Sequence, residues 1–154
     1  MKKILVAGMG NLLRGDDGFG IRVVDRLATM SLRVGVELFD AGGAGVALAQ
    51  KLMDGYDACI MVDATLQHGP PGTLYSFKPN VTQAPTEIGM HNLDPSKVLV
   101  LAQALGALPP EVLVIGCEPE NTEELREELS LPVLAAVDKA VHMVLCEIER
   151  FNAN

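Results

Sequence analysis

With 154 residues, 49% of them apolar and 21% charged, the chain is sized for one folded domain (1–154) and is too apolar for intrinsic disorder. A net charge of −8 without any Lys/Arg-rich run speaks against nucleic acid, whose phosphate backbone selects clustered cations. No stretch approaches the roughly 20 apolar residues that a membrane-spanning helix needs. Cys59, Cys117 and Cys146 lie far apart without CxxC spacing, and read as small core residues of a cytoplasmic protein. Lys2-Lys3 precede an apolar run too short for a signal peptide, and Gly8 onward reads as a turn instead of a cleavage site.

In chain order, Ile4-Leu5-Val6-Ala7 predicts a buried strand and Ile21 to Leu27 a helix. Between them lies Gly8-Met9-Gly10-Asn11-Leu12-Leu13-Arg14-Gly15-Asp16-Asp17-Gly18-Phe19-Gly20, a glycine-rich turn holding two adjacent carboxylates. Val34 to Phe39 alternates as a second strand and ends at Asp40-Ala41-Gly42-Gly43-Ala44-Gly45, after which Val46 to Met53 is helical by spacing. Ala58 to Val62 is a continuous apolar strand stopping at Asp63. Pro70-Pro71-Gly72 then break the chain, and Thr73 to Phe77 predicts a short antiparallel edge strand, because the link is too short for a parallel crossover.

Lys78 to Met90 is polar and irregular and leads to His91. Asp94-Pro95 predicts a helix start, with Asp94 as N-cap and Val98, Leu101 and Leu105 on one face. The last strand is Val112 to Cys117. Asn121 with Glu124 resembles a capping box opening a short acidic helix to Ser130. Pro132 starts a long helix, with Leu134, Val137, Val141, Leu145 and Ile148 as its apolar stripe. The alternation predicts an α/β three-layer sandwich: a mostly parallel five-stranded sheet with one antiparallel edge strand and helices on both faces.

In such a sheet the carboxyl ends of the strands form the binding crevice at the point where the winding reverses. With strand order 2-1-3, Asp17 and Asp63 end neighbouring strands and His91 closes a nearby loop. Two carboxylates and one imidazole suit a borderline divalent cation. Plainer readings stand beside this one. Asp16 and Asp17 both suit a helix start, and either is eligible as the ligand. Asp63 can cap the next turn, His68 rivals His91, and His142 sits on the polar side of the last helix. No Gly-x-Ser-x-Gly elbow, HExxH or P-loop occurs. Gly8-x-Gly10 resembles a dinucleotide turn, but Leu13 takes the place of its third glycine and the acidic pair repels a pyrophosphate.

The first motif resembles the opening signature of the hydrogenase maturation endopeptidases. The likeness continues through Asp40 to Gly45, Val62-Asp63-Ala64, His91-Asn92-Leu93, Gly116-Cys117-Glu118-Pro119-Glu120 and the final helix. Ala41 and Gly43 stand where the family often carries Gly and Thr. The resemblance implies an endopeptidase that removes the C-terminal extension of a nickel–iron hydrogenase large-subunit precursor after nickel insertion. Asp17, Asp63 and His91 match the family's metal-contacting residues, and Asp40 falls in a segment linked to substrate recognition and cleavage. The nickel belongs to the precursor, with other divalent cations able to substitute. A non-catalytic nickel-site chaperone using the same triad is the alternative, and a dinucleotide-binding module a further one.

Overall fold

The computed structural model describes residues 1–43, 45–81 and 95–154. Its strands are β1 (Ile4–Met9), β2 (Val36–Gly42), β3 (Ala58–Ala64), β4 (Leu74–Phe77) and β5 (Glu111–Cys117). Its helices are α1 (Phe19–Leu27), α2 (Gly45–Leu52), α3 (Pro95–Ala104) and α4 (Leu131–Ala153). They form one sheet in the order β2-β1-β3-β5-β4, parallel except for the edge strand β4, which runs antiparallel to β5. The predicted α/β class, five strands and antiparallel edge are all present.

Strand alternation assigns each side chain to a layer. Ile4, Val6, Ala58, Ile60, Val62 and Ile115 face α1 and α4 on one side. Leu5, Ala7, Cys59, Met61 and Val114 face α2 and α3 on the other. β1 lies between β2 and β3 and all six of its residues are buried, which is why its sequence reads as a continuous apolar run.

The close seating of α1 on the sheet depends on Gly20. A Cβ there would lie 2.1 Å from the Val62 carbonyl oxygen and 2.7 Å from that of Met9. Any side chain would lift the helix from the ends of β1 and β3.

Three expectations are corrected. No helix forms between Asn121 and Ser130. The Asn121 Oδ1 does accept hydrogen bonds from the Glu123 and Glu124 N–H groups at 2.8 and 3.1 Å, as a helix cap would. However, Arg126 then bridges to the first loop, its N–H donating to the Leu13 carbonyl and its carbonyl accepting from Gly15. Leu125 is 83% exposed and Leu129 alone of the segment's apolar residues enters the core, too little for a helical apolar stripe. Tertiary hydrogen bonding therefore overrides the local cap.

The apolar stripes are also displaced. α3 buries Val98, Leu99 and Ala102, and leaves Leu105 exposed. α4 buries Val133, Ala136, Val137, Ala140, Val141, Val144, Ile148 and Phe151, whereas Leu134 is exposed and Leu145 only partly covered. In α4 Val137, Val141 and Ile148 of the expected stripe are buried, and the face is rotated towards Val133, Ala136, Ala140 and Val144. The small Val and Ala side chains of that face let the helix approach α1 and the sheet closely. Finally, Cys59 and Cys117 are fully buried, but Cys146 is exposed on α4.

Candidate active site at the carboxyl ends of the central strands

The register places the acids. Gly8 of β1 pairs with Asp40 of β2 on one side and with Val62 of β3 on the other. Asp40 therefore ends one neighbour of β1, and Asp63 lies one residue beyond the same row on the other neighbour. At the usual strand spacing the two flanks stand about 10 Å apart. The loop leaving β1 brings Asp17 back over that strand's end. The Asp17 Oδ2 accepts a hydrogen bond from the Asn11 N–H at 3.0 Å. Gly10, at φ +121°, lies so close that a Cβ would stand 1.8 Å from the Asp17 carbonyl oxygen. The 3-10 turn Gly15–Gly18 that carries Asp17 also packs against β3. Asp17 and Asp63 thus belong to contiguous elements at the switch point between β1 and β3, where an open α/β sheet forms its crevice.

The adjacent acids have separate surroundings. Asp16 is buried and accepts four hydrogen bonds: Ser130 N–H (2.7 Å), Ser130 Oγ (2.8 Å), Glu120 N–H (2.8 Å) and Asn121 N–H (3.1 Å). It ties the turn to the segment before α4, and its carboxylate has no capacity left for a ligand. Asp17 is half-buried. Burial raises its pKa from the ordinary 3.8, against the opposing pull of the Asn11 N–H and the Arg14 charge. Of the two acids that sequence left eligible, the structure leaves Asp17 available.

Asp40 and Asp63 both accept hydrogen bonds from nearby main-chain N–H groups. The Asp40 Oδ1 accepts from the Gly42 N–H at 2.9 Å, and the Gly42 carbonyl accepts from Gly10, so the second glycine-rich turn is stitched to the first. The Asp63 Oδ1 accepts from the N–H of its neighbour Ala64 at 2.8 Å, at the end of β3. Among the described residues no three His, Cys, Asp or Glu side chains converge closely enough to hold a metal by themselves. His91 and Asp94 lie outside the described residues. His68 is exposed at φ 63°, and His142 is exposed on α4 with its Nε2 3.5 Å from the Cys146 Sγ.

Comparison with known proteins decides what this arrangement belongs to. The family model described as hydrogenase maturation protease matches residues 21–147. The chain belongs to the hydrogenase maturation protease family. A Methanocaldococcus jannaschii relative, assigned as a hydrogenase maturation protease, is 37% identical over 97% of this chain and 98% of its own length. The hydrogenase 2 maturation peptidase of a Thaumarchaeota archaeon superposes with a TM-score of 0.75 at 39% identity, covering 96% of this chain and 99% of that one. The hydrogenase maturating endopeptidase HybD of E. coli gives a TM-score of 0.82 at 30% identity, covering 96% and 93%. Like these relatives, the chain is a peptidase.

In this hydrogenase maturation protease one further carboxylate lies in a motif that sequence reading quoted without giving it a role. Glu118, inside the Gly116 to Glu120 motif, is buried to 1% exposure. It accepts hydrogen bonds from the Gln67 N–H, the Gly69 N–H and the Tyr75 hydroxyl, at 2.9, 2.9 and 2.7 Å. Burial alone would raise its pKa. The hydrogen bonds from Gly69, Tyr75, Gln67 and His68 outweigh it and hold the carboxyl below its ordinary range. A Pro-flanked glutamate after a strand carries no periodic signal; only its neighbours in space show what it does. No helix among the described residues is long and apolar enough to cross a membrane.

Proposed function

We propose that this protease removes the C-terminal extension of a nickel–iron hydrogenase large-subunit precursor after nickel has been inserted, reading the bound nickel through Asp17, Asp63 and His91. The observation that supports this most is that the turn carrying the half-buried Asp17 packs against β3, the central strand that carries Asp63 near its carboxyl end. Carboxylates suit a divalent cation, and an imidazole completes a borderline-metal donor set. Nickel held by the precursor is here part of the substrate. Its capture would fix the tail relative to the crevice, turning cleavage into a step between prepositioned groups. Hydrolysis adds one water across the scissile peptide bond, leaving a new carboxyl terminus on the large subunit and a free tail peptide. Asp40, on the opposite flank of β1, is the proposed residue for positioning that peptide or accepting the water's proton.

The deciding experiment incubates the protein with purified nickel-loaded precursor and with the same precursor lacking nickel, and reads the mass of the large subunit. Loss of the tail from the nickel-loaded form alone supports the proposal. Cleavage of both forms refutes recognition through nickel. Binding without mass loss points instead to a nickel-site chaperone.

A further inference from the structure

The segment that follows Asp63 is held by the end of β5 and, at several points, by the next residue, Glu118. Asp63 and Ala64 pair with Gly116 and Cys117 of β5, and the Thr65 N–H donates to the Cys117 carbonyl at 2.8 Å. The chain then makes an excursion before entering β4. The Glu118 side chain accepts from Gln67 and Gly69 within that excursion, and from the Tyr75 hydroxyl beyond it. The Glu118 main chain secures its exit, accepting from the Gly72 N–H at 2.9 Å and donating to the Thr73 carbonyl at 2.8 Å. Two glycines keep the space clear. A Cβ on Gly69 would meet the Tyr75 hydroxyl at 2.4 Å, and one on Gly116 would meet the Thr65 Oγ1 at 2.2 Å. The carboxylate is buried and its hydrogen-bond acceptors face donors from Gln67, His68, Gly69 and Tyr75, so a neutral amide cannot satisfy them equally.

We propose that Glu118 is a positioning residue: its carboxylate fixes the Thr65–Thr73 excursion and through it the aim of Asp63 at the crevice. This rests on the function proposed above, in which Asp63 meets the nickel of the precursor. Groups that orient a metal-contacting side chain typically change affinity or activity by about 10- to 100-fold when removed. Asp63 acts in recognition, so the loss belongs in KM.

The test compares wild type, Glu118→Gln and Tyr75→Phe on nickel-loaded precursor, with circular dichroism and thermal melting as a check on folding. The expected result for folded Glu118→Gln is a KM raised about tenfold or more with kcat largely kept, and a smaller rise for Tyr75→Phe. An unchanged KM overturns the proposal, whether kcat is also unchanged or falls because part of the protein is misfolded. If wild type leaves the precursor intact, it is the functional reading that fails. The clamp is then judged by amide hydrogen exchange at Gln67 and Gly69. Faster exchange in folded Glu118→Gln supports it, and unchanged exchange overturns it. Should Glu118→Gln not fold, Tyr75→Phe carries the same two readouts.

Discussion

Asp16 and Ser130 stand 114 residues apart, yet the Asp16 carboxylate takes a hydrogen bond from both the main-chain nitrogen and the hydroxyl of Ser130. That contact fixes the loop after β1 to the start of α4 and leaves the next residue, Asp17, half-buried with its Oδ2 on the Asn11 N–H. The two acids therefore give opposite mutational signatures. Asp16→Ala strands buried donors on Glu120, Asn121 and Ser130. Its expected cost is about 3 kcal/mol or more, a fall of roughly 10 °C in Tm for a chain of this size. Thermal melting checks it; a melting point within a degree or two of wild type would contradict the buried network.

Asp17→Asn is expected to fold and to lose processing. Burial raises the folded pKa of Asp17, so its ionised form costs stability. That cost is absent while the group is protonated and grows as pH rises from 3.8 through the folded value. At pH 7 the Asn variant should therefore melt no lower than wild type, and its advantage should shrink on acidification. Asp63→Asn and His91→Ala should likewise abolish tail removal in folded protein. Full processing by any one of them removes that residue from the proposed triad.

Glu118 predicts the reverse pH trend. Its folded pKa lies below the ordinary 4.5, so its stabilisation is present above that value and is lost as pH falls through the folded one. The gap in Tm between wild type and Glu118→Gln should be widest near neutrality and close below pH 4.5. A gap that does not vary with pH would show that packing, not charge, makes the difference.

Gly20→Ala should cost about 3 kcal/mol, since the added methyl meets two backbone carbonyls that cannot rotate away. Gly43→Ala is the matched control. Nothing lies within 4 Å of a Cβ there, and the expected change is within about 0.5 kcal/mol. Denaturant titration of the pair tests the seating of α1 on β1 and β3.

Thiol labelling separates the cysteines. Cys146 is exposed, whereas burial pushes both Cys59 and Cys117 up to about 12. One label per native chain is expected, and three after unfolding.

The parts of this fold that sequence revealed are those fixed by local pattern. The apolar runs of β1 and β3 are buried on both faces, and the Pro-Gly break before β4 forced an antiparallel edge. Asp17, Asp40 and Asp63 could be nominated from sequence because glycine-rich turns and strand ends are where an open α/β sheet builds its sites. What escaped was decided by contacts far along the chain. The Arg126 bridge to Leu13 and Gly15 unmade a helix that the Asn121 cap alone would favour. In α4 the expected stripe was right at Val137, Val141 and Ile148, and packing against α1 and the sheet turned the buried face away from Leu134 and Leu145. Asp16 could not be told from Asp17 without Ser130 in view, nor Glu118 from a solvated acid without Gln67, Gly69 and Tyr75.

The central place of β1 has a consequence for how the molecule comes into being. It is the first strand made, yet its two partners are complete only at Gly42 and Ala64. A growing chain must therefore shelter its most water-averse segment until both flanks have been synthesised, which favours slow, late closure over early local zippering. Because Asp16 also waits for Ser130, the proposed cutting centre is among the last features to set, so an unfinished chain is a poorly assembled protease.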